Sequence, residues 1–334
     1  MKSRYDLISI IVFLGSIAFS QDITTKYSSE PIDPLPLNIG PFDQKKVELG
    51  RKLFHEPKLS KNNSVSCVSC HNLSTSGADN KSISVGINGA LGGINTPTVF
   101  NSRYNFKQFW DGRANSLEDQ IDGPIQNDKE MGSKWSDVLE KIQADAVYVK
   151  FFLEVYQTSP SPENIKDAIA TFERTLVTSN SKFDRYLRGD KVVLNEVEKL
   201  GYQKFKSYGC IACHQGMNVG GNMFQTMGVM GNYFKDRGTE LTSSDLGRYN
   251  VTKQESDKFV FRVPSLRNVE LTAPYFHDGS AKDLRTAVTV MSKYQLGRKI
   301  SRTDTDTIVA FLKTLTGENE YHIKSPETQK VNNQ

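Results

Sequence analysis

Two copies of the motif Cys-x-x-Cys-His, at Cys67–His71 and Cys210–His214, contain all four cysteines of the chain. In this motif the two thiols add to the vinyl groups of a haem, and the histidine gives its ring nitrogen to the iron. Redox dithiols or half zinc sites are the alternatives, but neither needs a histidine beside the second cysteine in both copies. The sequence therefore predicts two covalent c-type haems, held by Cys67, Cys70 and His71 and by Cys210, Cys213 and His214.

The N-terminus has the three parts of a secretory signal peptide. Basic residues precede an apolar run from Leu7 to Phe19, and small side chains before Gln21 mark a cleavage site after Ser20. The run is too short to span a bilayer comfortably, and no second such run follows. The sequence predicts a cleaved, soluble periplasmic protein, with an uncleaved N-terminal anchor as the alternative.

Chain length and net charge limit the number of domains and the kinds of partner. About 314 residues follow the signal peptide, enough for two domains of ordinary size. The formal net charge of +4 falls to +3 without the signal peptide, which carries Lys2, Arg4 and Asp6, and the four propionates of two haems would reverse its sign. Charge therefore gives no reason to expect nucleic acid or a membrane surface as a partner.

A weak internal repeat places a helix before each haem motif. The spacing Leu-Gly-x-x-x-Phe occurs at Leu49–Phe54 and again at Leu200–Phe205. With Val47 and Val197, these apolar residues recur at helical intervals. Chance similarity of two short helices is the alternative, but their equivalent placement favours a duplicated domain.

A second helical stripe follows each motif. Apolar residues from Ile165 to Leu176 recur at i, i+3 and i+4 after a start at Ser161-Pro162, and those from Ile308 to Leu315 do so before Gly317. Such stripes are typical of helices that pack on a core. Each predicted domain thus has a helix before its haem and a closing helix after it.

Few segments have the residue pattern of a β-strand, so the predicted helices determine the fold class. The stretches 74–95 and 215–238 are rich in Gly and Asn and are predicted to be loops over the haem faces. We predict an all-α protein of two cytochrome c-like helical domains with long haem-wrapping loops and little sheet. Residues 179–190 would cross between the domains. The predicted parts are the signal peptide (1–20), an N-terminal haem domain (21–180), a C-terminal haem domain (181–318) and a polar tail (319–334).

From residue 37 to residue 317 the chain resembles the bacterial dihaem cytochrome c peroxidases and their relatives that oxidise a protein tryptophan to a quinone cofactor. The resemblance rests on specific motifs besides the two haem motifs. These are Asn95-Thr96-Pro97-Thr98, Gln108-Phe109-Trp110-Asp111-Gly112-Arg113, Gly123-Pro124-Ile125-Gln126, Glu130-Met131, Pro264-Ser265-Leu266-Arg267-Asn268-Val269, Leu271-Thr272-Ala273-Pro274-Tyr275-Phe276-His277-Asp278-Gly279 and Met291.

The resemblance implies that the N-terminal haem reacts with hydrogen peroxide. Glu130 would be the acid-base group that moves a proton between the peroxide oxygens, and Gln120 would help to orient the peroxide. Phe109 would pack over the same haem face. Trp110 would relay electrons between the haems, or serve as an aromatic core residue, or both. Nothing outside the resemblance marks Glu130, and a solvated surface carboxylate is the alternative.

The resemblance further implies that the C-terminal haem is the high-potential centre where electrons enter. An electron-transfer haem needs both axial positions filled, and a thioether ligand raises its potential. Met291 stands at the family's position for this ligand, on a predicted helix. The other candidates are Met131, Met217, Met223, Met227 and Met230, chiefly those in the loop from Met223 to Met230.

One feature departs from the family pattern. Many members close the resting peroxidatic haem with a second histidine in the loop after the first motif. Here no histidine lies between Asn72 and Asn95, and Ile87 stands where it is expected. The resting haem is therefore predicted to be five-coordinate or water-bound and to need no reductive activation; His55 is a poor substitute.

The resemblance also implies one calcium ion between the domains. Its matching positions are Asn95, Thr272 and Pro274, which offer the oxygen ligands that a hard cation accepts. Three side chains of the second half could carry positive charge, namely Arg262, Arg267 and His277. They would contact haem propionates, brace loops or lie at the surface.

These predictions together describe a cytochrome c peroxidase that reduces hydrogen peroxide to water with electrons from a small cytochrome c or cupredoxin. Two other functions stay open. A dihaem enzyme that oxidises a partner protein's side chain is favoured by the absent histidine and opposed by Met291, since those relatives use a tyrosine there. A non-catalytic dihaem electron carrier would have both irons six-coordinate. The oligomeric state stays open between monomer and homodimer.

Overall fold

The computed structural model describes residues 30–318 and is mainly helical, as the sequence predicts. The predicted signal peptide and the polar tail from residue 319 lie outside the described residues. Pro31 to Glu318 lie in one compact unit. The helices are α1 (Gln44–Phe54), α2 (Cys67–Cys70), α3 (Leu117–Gln126), α4 (Trp135–Gln143), α5 (Ala146–Tyr156), α6 (Pro162–Thr175), α7 (Lys182–Leu187), α8 (Glu196–Tyr208), α9 (Tyr233–Arg237), α10 (Tyr249–Thr252), α11 (Leu284–Tyr294) and α12 (Arg302–Lys313), and the strands are β1 (Phe224–Thr226) and β2 (Val260–Arg262).

Helices α1 and α6 form the first of two closely packed pairs. A Cβ atom on Gly50 would lie 1.9 Å from the carbonyl oxygen of Ala168, so only glycine lets the two backbones approach this closely. One turn further along, the rings of Phe54 and Phe172 meet edge to face at 5.4 Å. The predicted helix before the first haem motif therefore packs against the predicted closing helix.

Helices α8 and α12 repeat this arrangement in the second half of the chain. A Cβ atom on Gly201 would lie 1.9 Å from the carbonyl oxygen of Thr307, and the rings of Phe205 and Phe311 lie 5.1 Å apart. The same glycine-to-carbonyl contact and the same pair of aromatic rings thus occur in both helix pairs. This agreement supports the duplication that the sequence predicts.

Each pair belongs to its own apolar cluster. The first cluster draws its buried residues from Leu49 to Leu176, and the second draws them from Phe183 to Leu315 and from Ile32. Ile32 shows that the segment before α1 packs onto the second cluster, which the sequence analysis did not predict. The predicted crossing contains α7, whose N-cap Ser181 accepts a hydrogen bond from the backbone of Asp184.

The rest of the described chain contains little regular structure. Strands β1 and β2 are three residues each and pair antiparallel, with Gln225 opposite Phe261. The predicted loop 74–95 contains only a short 3₁₀ turn, whereas the predicted loop 215–238 also contains β1 and α9. Within residues 30–318, no helix combines the length and apolar character needed to cross a bilayer.

Candidate haem sites and the region between them

The first haem motif forms the short helix α2 and ends in a histidine suited to bind metal. His71 Nδ1 lies 3.1 Å from the carbonyl oxygen of Gly77, so this hydrogen bond leaves Nε2 for a metal ion. Burial lowers the pKa of His71, which favours the neutral ring that metals require. The ring of Phe54 lies 6.5 Å from the imidazole and fixes its position from the α1 side.

The second motif repeats this geometry. His214 Nδ1 lies 3.4 Å from the carbonyl oxygen of Val219, and burial lowers the pKa of His214 to about 4. Phe205 lies 6.4 Å from its ring, as Phe54 does from His71. Both predicted proximal ligands are therefore half-buried, neutral and held by a backbone carbonyl.

The thiols of the motifs lie in apolar surroundings. Burial raises the pKa of Cys70 and that of Cys210 to about 11 each. This shift favours the uncharged thiol over the thiolate, which is the reactive form in a redox dithiol. Uncharged, partly buried sulfur atoms are compatible with the two thioether bonds that would attach a c-type haem.

A cavity of about 310 Å³ lies over the second motif and is lined mainly by apolar side chains. Cys210, Cys213 and His214 line it, and so does Met291. Helix α11 contributes Met291 together with other residues at helical spacing, namely Leu284, Ala287 and Val288. Of the alternative methionines, Met227 also lines this cavity, so the structure brings both Met291 and Met227 to the second site.

At the first site the structure brings Glu130 next to Ile87. The Ile87 backbone N–H donates to the carbonyl oxygen of Glu130 at 2.8 Å, and a Cβ atom on Gly86 would lie 2.7 Å from the Cα of Glu130. Asn127 Nδ2 donates to Glu130 Oε1 at 2.7 Å. Burial raises the pKa of Glu130, although Arg113 and Asn127 oppose the shift. The carboxyl group near the first motif is thus fixed in place, and its pKa lies above the ordinary value of a glutamate.

Gln120 and Phe109 both belong to the α3 side of this site. The Phe109 ring packs against Gly123, where a Cβ atom would lie 2.7 Å from the ring. Gln120 precedes Gly123 by one helical turn and so shares its face of α3. The guanidinium of Arg113 covers the other side of the Phe109 ring at 3.4 Å from its centroid.

Trp110 connects this region with the second cavity, which it helps to line. Its Nε1 donates to the carbonyl oxygen of Asn95 at 2.9 Å. The rings of Phe261 and His277 each lie 6.5 Å from its ring, both edge to face. Trp110 is therefore held rigidly beside the second haem site, while its neighbour Phe109 packs on α3.

The residues matched to a calcium site lie on two segments that contact each other. Asn95 is buried, its backbone N–H donates to the carbonyl oxygen of His277 at 2.7 Å, and its Nδ2 donates to that of Lys81. Asn80 Nδ2 donates to the carbonyl oxygens of residues 271 and 273, on either side of Thr272. These contacts bring the loop of Asn95 next to Thr272 and Pro274, and the oxygen donors present are neutral, as a partly hydrated Ca²⁺ accepts.

The three side chains considered for haem propionates have different partners. Arg267 forms a fully buried ion pair with Asp184 at 2.7 Å, and His277 Nε2 bonds to Asp245 Oδ1 at 2.7 Å. Arg262 is buried and lines the second cavity, and burial lowers its pKa to about 10. In the described residues it has no carboxylate partner, so Arg262 is the one of the three left to meet a propionate.

Asp245, His277 and Asp278 form a buried cluster whose ligand-type atoms lie within 4.8 Å of one another. Arg237 Nη1 donates to both carboxylates at 2.8 Å. These hydrogen bonds hold the pKa of Asp245 low although burial opposes the shift. The cation in this cluster is therefore already a guanidinium, and the cluster braces the ring of His277 beside Trp110.

Sequence reasoning missed three buried ionisable groups. Asp184 and Asp245 each bind an arginine that the sequence does not place near them, and Glu173 is a carboxyl group inside the first apolar cluster. For Glu173 a signal was available, because it interrupts the buried stripe of α6 between Phe172 and Leu176.

Comparisons with known proteins agree with this geometry. A family model described as di-haem cytochrome c peroxidase matches residues 44–192. The cytochrome c peroxidase of Escherichia coli K12 is 47% identical over 299 residues, which cover 89% of this chain and 63% of that protein's length. The cytochrome c551 peroxidase of Nitrosomonas europaea is 47% identical over 293 residues, covering 87% and 85% of the two chains. The crystal structure of a MauG-like protein associated with microbial copper homeostasis is similar with a TM-score of 0.74 and 26% identity, covering 92% of this chain and 98% of the other.

Proposed function

The chain belongs to the di-haem cytochrome c peroxidase family, and on that premise we propose that it reduces hydrogen peroxide to water with electrons from a small redox protein. The observation that carries the proposal is 47% identity to the cytochrome c551 peroxidase of Nitrosomonas europaea over 85% of that protein's length. Two haem motifs with neutral, carbonyl-bonded histidines and a Glu130 of raised pKa beside the first motif support it.

At the first site, Glu130 is the proposed proton carrier. A haem bound through Cys67, Cys70 and His71 supplies an iron that can bind and reduce peroxide. Asn127 holds Glu130 Oε1, so Oε2 is the atom we assign to take the proton from one peroxide oxygen and return it to the other. Gln120 orients the peroxide, and Phe109 excludes water from the same face.

We propose that the resting first site is open on its distal side. Ile87 is buried, with 4% of its surface exposed, and its backbone is bonded to Glu130. Its aliphatic side chain cannot bind iron. His55 is exposed, and its Nδ1 is bonded to the carbonyl oxygen of Arg51.

At the second site, a haem would be held by Cys210, Cys213 and His214. Met291 is the proposed second ligand of its iron. His214 and Met291 line the same cavity, and a thioether ligand would give this site the high potential that an electron-entry centre needs. From here electrons pass by Trp110, which lines the cavity and whose chain neighbour Phe109 packs on the α3 side of the first site.

We also propose one calcium ion held by oxygens of Asn95, Thr272 and Pro274. Because the carbonyl of Asn95 also accepts from Trp110 Nε1, the ion would stabilise the position of the relay tryptophan. A chelator should slow peroxide turnover, and added Ca²⁺ should restore it. Full turnover in a protein shown to be free of calcium would refute this site.

The proposed peroxidase activity implies a cellular location and an electron donor. We propose that the protein is periplasmic and that a small cytochrome c or a cupredoxin delivers the electrons. The direct test is steady-state peroxide consumption by the purified dihaem protein with a reduced small cytochrome c as donor. Absence of turnover, with both irons six-coordinate, would instead identify an electron carrier.

A second function is favoured by one observation, the aliphatic Ile87 at the position of the expected distal histidine. An enzyme that oxidises a partner protein's side chain would share this open site. Met291 at the second site opposes this function. If this protein rapidly oxidises a reduced small cytochrome with peroxide, its function is that of a peroxidase and not the oxidation of a partner's side chain.

A further inference from the structure

Glu173 is a buried carboxylic acid without a counter-charge in the first haem domain. It lies on α6 between Phe172 and Leu176 and has 5% of its surface exposed. Its Oε2 atom is buried and has no hydrogen-bond partner in the described part of the chain. Burial raises the pKa of Glu173 to about 8, so the carboxyl group is neutral at neutral pH.

The internal repeat shows what this side chain faces. Gly50 contacts the carbonyl oxygen of Ala168 and the Cβ of Phe172, and Gly201 contacts the carbonyl oxygen of Thr307 and the Cβ of Phe311. Phe172 therefore corresponds to Phe311, and the next residue, Glu173, corresponds to Leu312.

Leu312 lines the cavity over the second haem motif. By the repeat, Glu173 occupies the same place at the first haem site. Its proximity to this site agrees with its electrostatic effect on the Cys67 thiol, whose pKa is raised by burial and further by Glu173. The two domains thus differ at one haem-facing position, which is aliphatic in the second and a carboxylic acid in the first.

Charged groups on the neighbouring elements do not neutralise Glu173. Arg174 on the same helix and Glu118 on α3 influence its pKa in opposite directions, and they are bonded to each other. Three further basic side chains on or near the packed elements have other partners: Lys46 of α1 binds Asp167, Lys166 binds Asp122 of α3, and Arg103 donates to the carbonyl oxygens of Ile39 and Arg174.

We propose that Glu173 is a proton-binding group linked to the oxidation state of the first haem. At alkaline pH, where Glu173 is ionised in the oxidised protein, its carboxylate takes up one proton from solvent when the ferric haem accepts one electron from the donor, and it releases the proton when the haem is reoxidised. The added electron favours the neutral acid because two negative charges repel strongly in an apolar interior. The proposal rests on haem attachment at the first motif and does not require peroxidase activity.

The test is a spectroelectrochemical titration of the dihaem protein without peroxide, at a series of pH values across the neutral and alkaline range. The reduction potential of the first haem should fall as pH rises around the pKa of Glu173. In Glu173→Gln and in Glu173→Leu, the latter copying the second domain, this fall should be lost. A potential independent of pH in the wild type, or a fall that both variants keep, overturns the proposal.

Infrared spectroscopy gives an independent readout. The reduced-minus-oxidised difference spectrum should contain a carboxylic acid C=O band that is missing from Glu173→Gln. The reciprocal change, Leu312→Glu, should make the potential of the second haem depend on pH. Because no peroxide is used, a protein that shows this linkage but reduces no peroxide would refute the proposed function alone.

Discussion

Glu130 and Glu173 are two carboxylic acids of the first haem domain, and burial raises the pKa of both. Their surroundings differ. Glu130 has a polar neighbourhood, with Asn127 bonded to it and Arg113 lowering its pKa, so it can change its protonation state readily. Glu173 has an unpartnered oxygen among apolar side chains, so its charge responds to whatever charge lies nearby. The first is suited to move a proton, and the second to hold one.

Substitution of Glu130 by Gln tests the acid-base role. Glutamine keeps the size and the bond to Asn127 but cannot carry the proton, so peroxide turnover should fall by about 10²–10⁴-fold. Steady-state kinetics with a reduced small cytochrome measures this, and the spectra of both haems should stay unchanged as the control. Wild-type turnover in the variant would show that water or Gln120 handles the proton.

Met291 and Met227 both line the second cavity, and substitution distinguishes them. Met291→His should keep the second haem low-spin but lower its potential, because imidazole donates more strongly than a thioether. Met227→Leu is the matched control and should leave the potential unchanged. A potential that responds to Met227→Leu and not to Met291→His would assign the ligand to Met227.

At the residue scale, the sequence predicts those site residues that belong to a short motif of fixed spacing. The haem cysteines and histidines are coded within five residues, so they could be identified before the structure. Arg267 and Asp184 are 83 positions apart, and their buried ion pair depends on how distant segments of the second domain fold together. No local pattern could therefore have predicted it.

At the scale of elements, helical periodicity predicted the four helices α1, α6, α8 and α12, and the structure adds that they pack as two pairs. The prediction succeeded because each helix buries one stripe, and the stripe can be read from apolar spacing. The segment around Phe109 could not be predicted in this way. Phe109 has a positive φ of 67°, and Arg262 holds this conformation by donating to the carbonyl oxygens of Phe109 and Trp110.

The glycine contacts of the two helix pairs can be tested directly. Gly201→Ala would place a Cβ atom 1.9 Å from the carbonyl oxygen of Thr307, so α8 and α12 must separate. We expect a loss of about 1–3 kcal/mol in the free energy of unfolding, measured by urea denaturation of the dihaem protein. Gly92→Ala is the control, because its nearest neighbour atom would lie at 3.4 Å. Equal stability of the two variants would contradict the close approach.

For the whole molecule, the difference between the two haem domains has a consequence for stability. Glu173 has a pKa of about 8 in the folded protein and an ordinary pKa near 4.5 when unfolded. Its contribution is therefore fully present below pH 4.5 and is lost as pH rises through 8, at about 1.4 kcal/mol per pH unit. Urea unfolding at pH 5 and pH 8 should show a larger loss in the wild type than in Glu173→Leu. Identical losses would show that the carboxyl group is not buried as described.

The resting state of the whole protein provides the last prediction, because it depends on both haem sites at once. If, as proposed, the first site is open beside Ile87 and Met291 binds the second iron, the fully oxidised protein should contain one high-spin and one low-spin haem. It should react with peroxide without prior reduction. Electron paramagnetic resonance and stopped-flow absorption measure the two properties.

Substitution of Ile87 makes this prediction specific. Ile87→His places an imidazole beside Glu130, where it should bind the first iron, convert that haem to low-spin and make the reaction with peroxide dependent on prior reduction. Ile87→Leu keeps an aliphatic side chain and should behave as the wild type. If the wild-type protein already shows two low-spin haems, with two histidines on the first iron, another residue closes the site and the activation-free reaction is wrong.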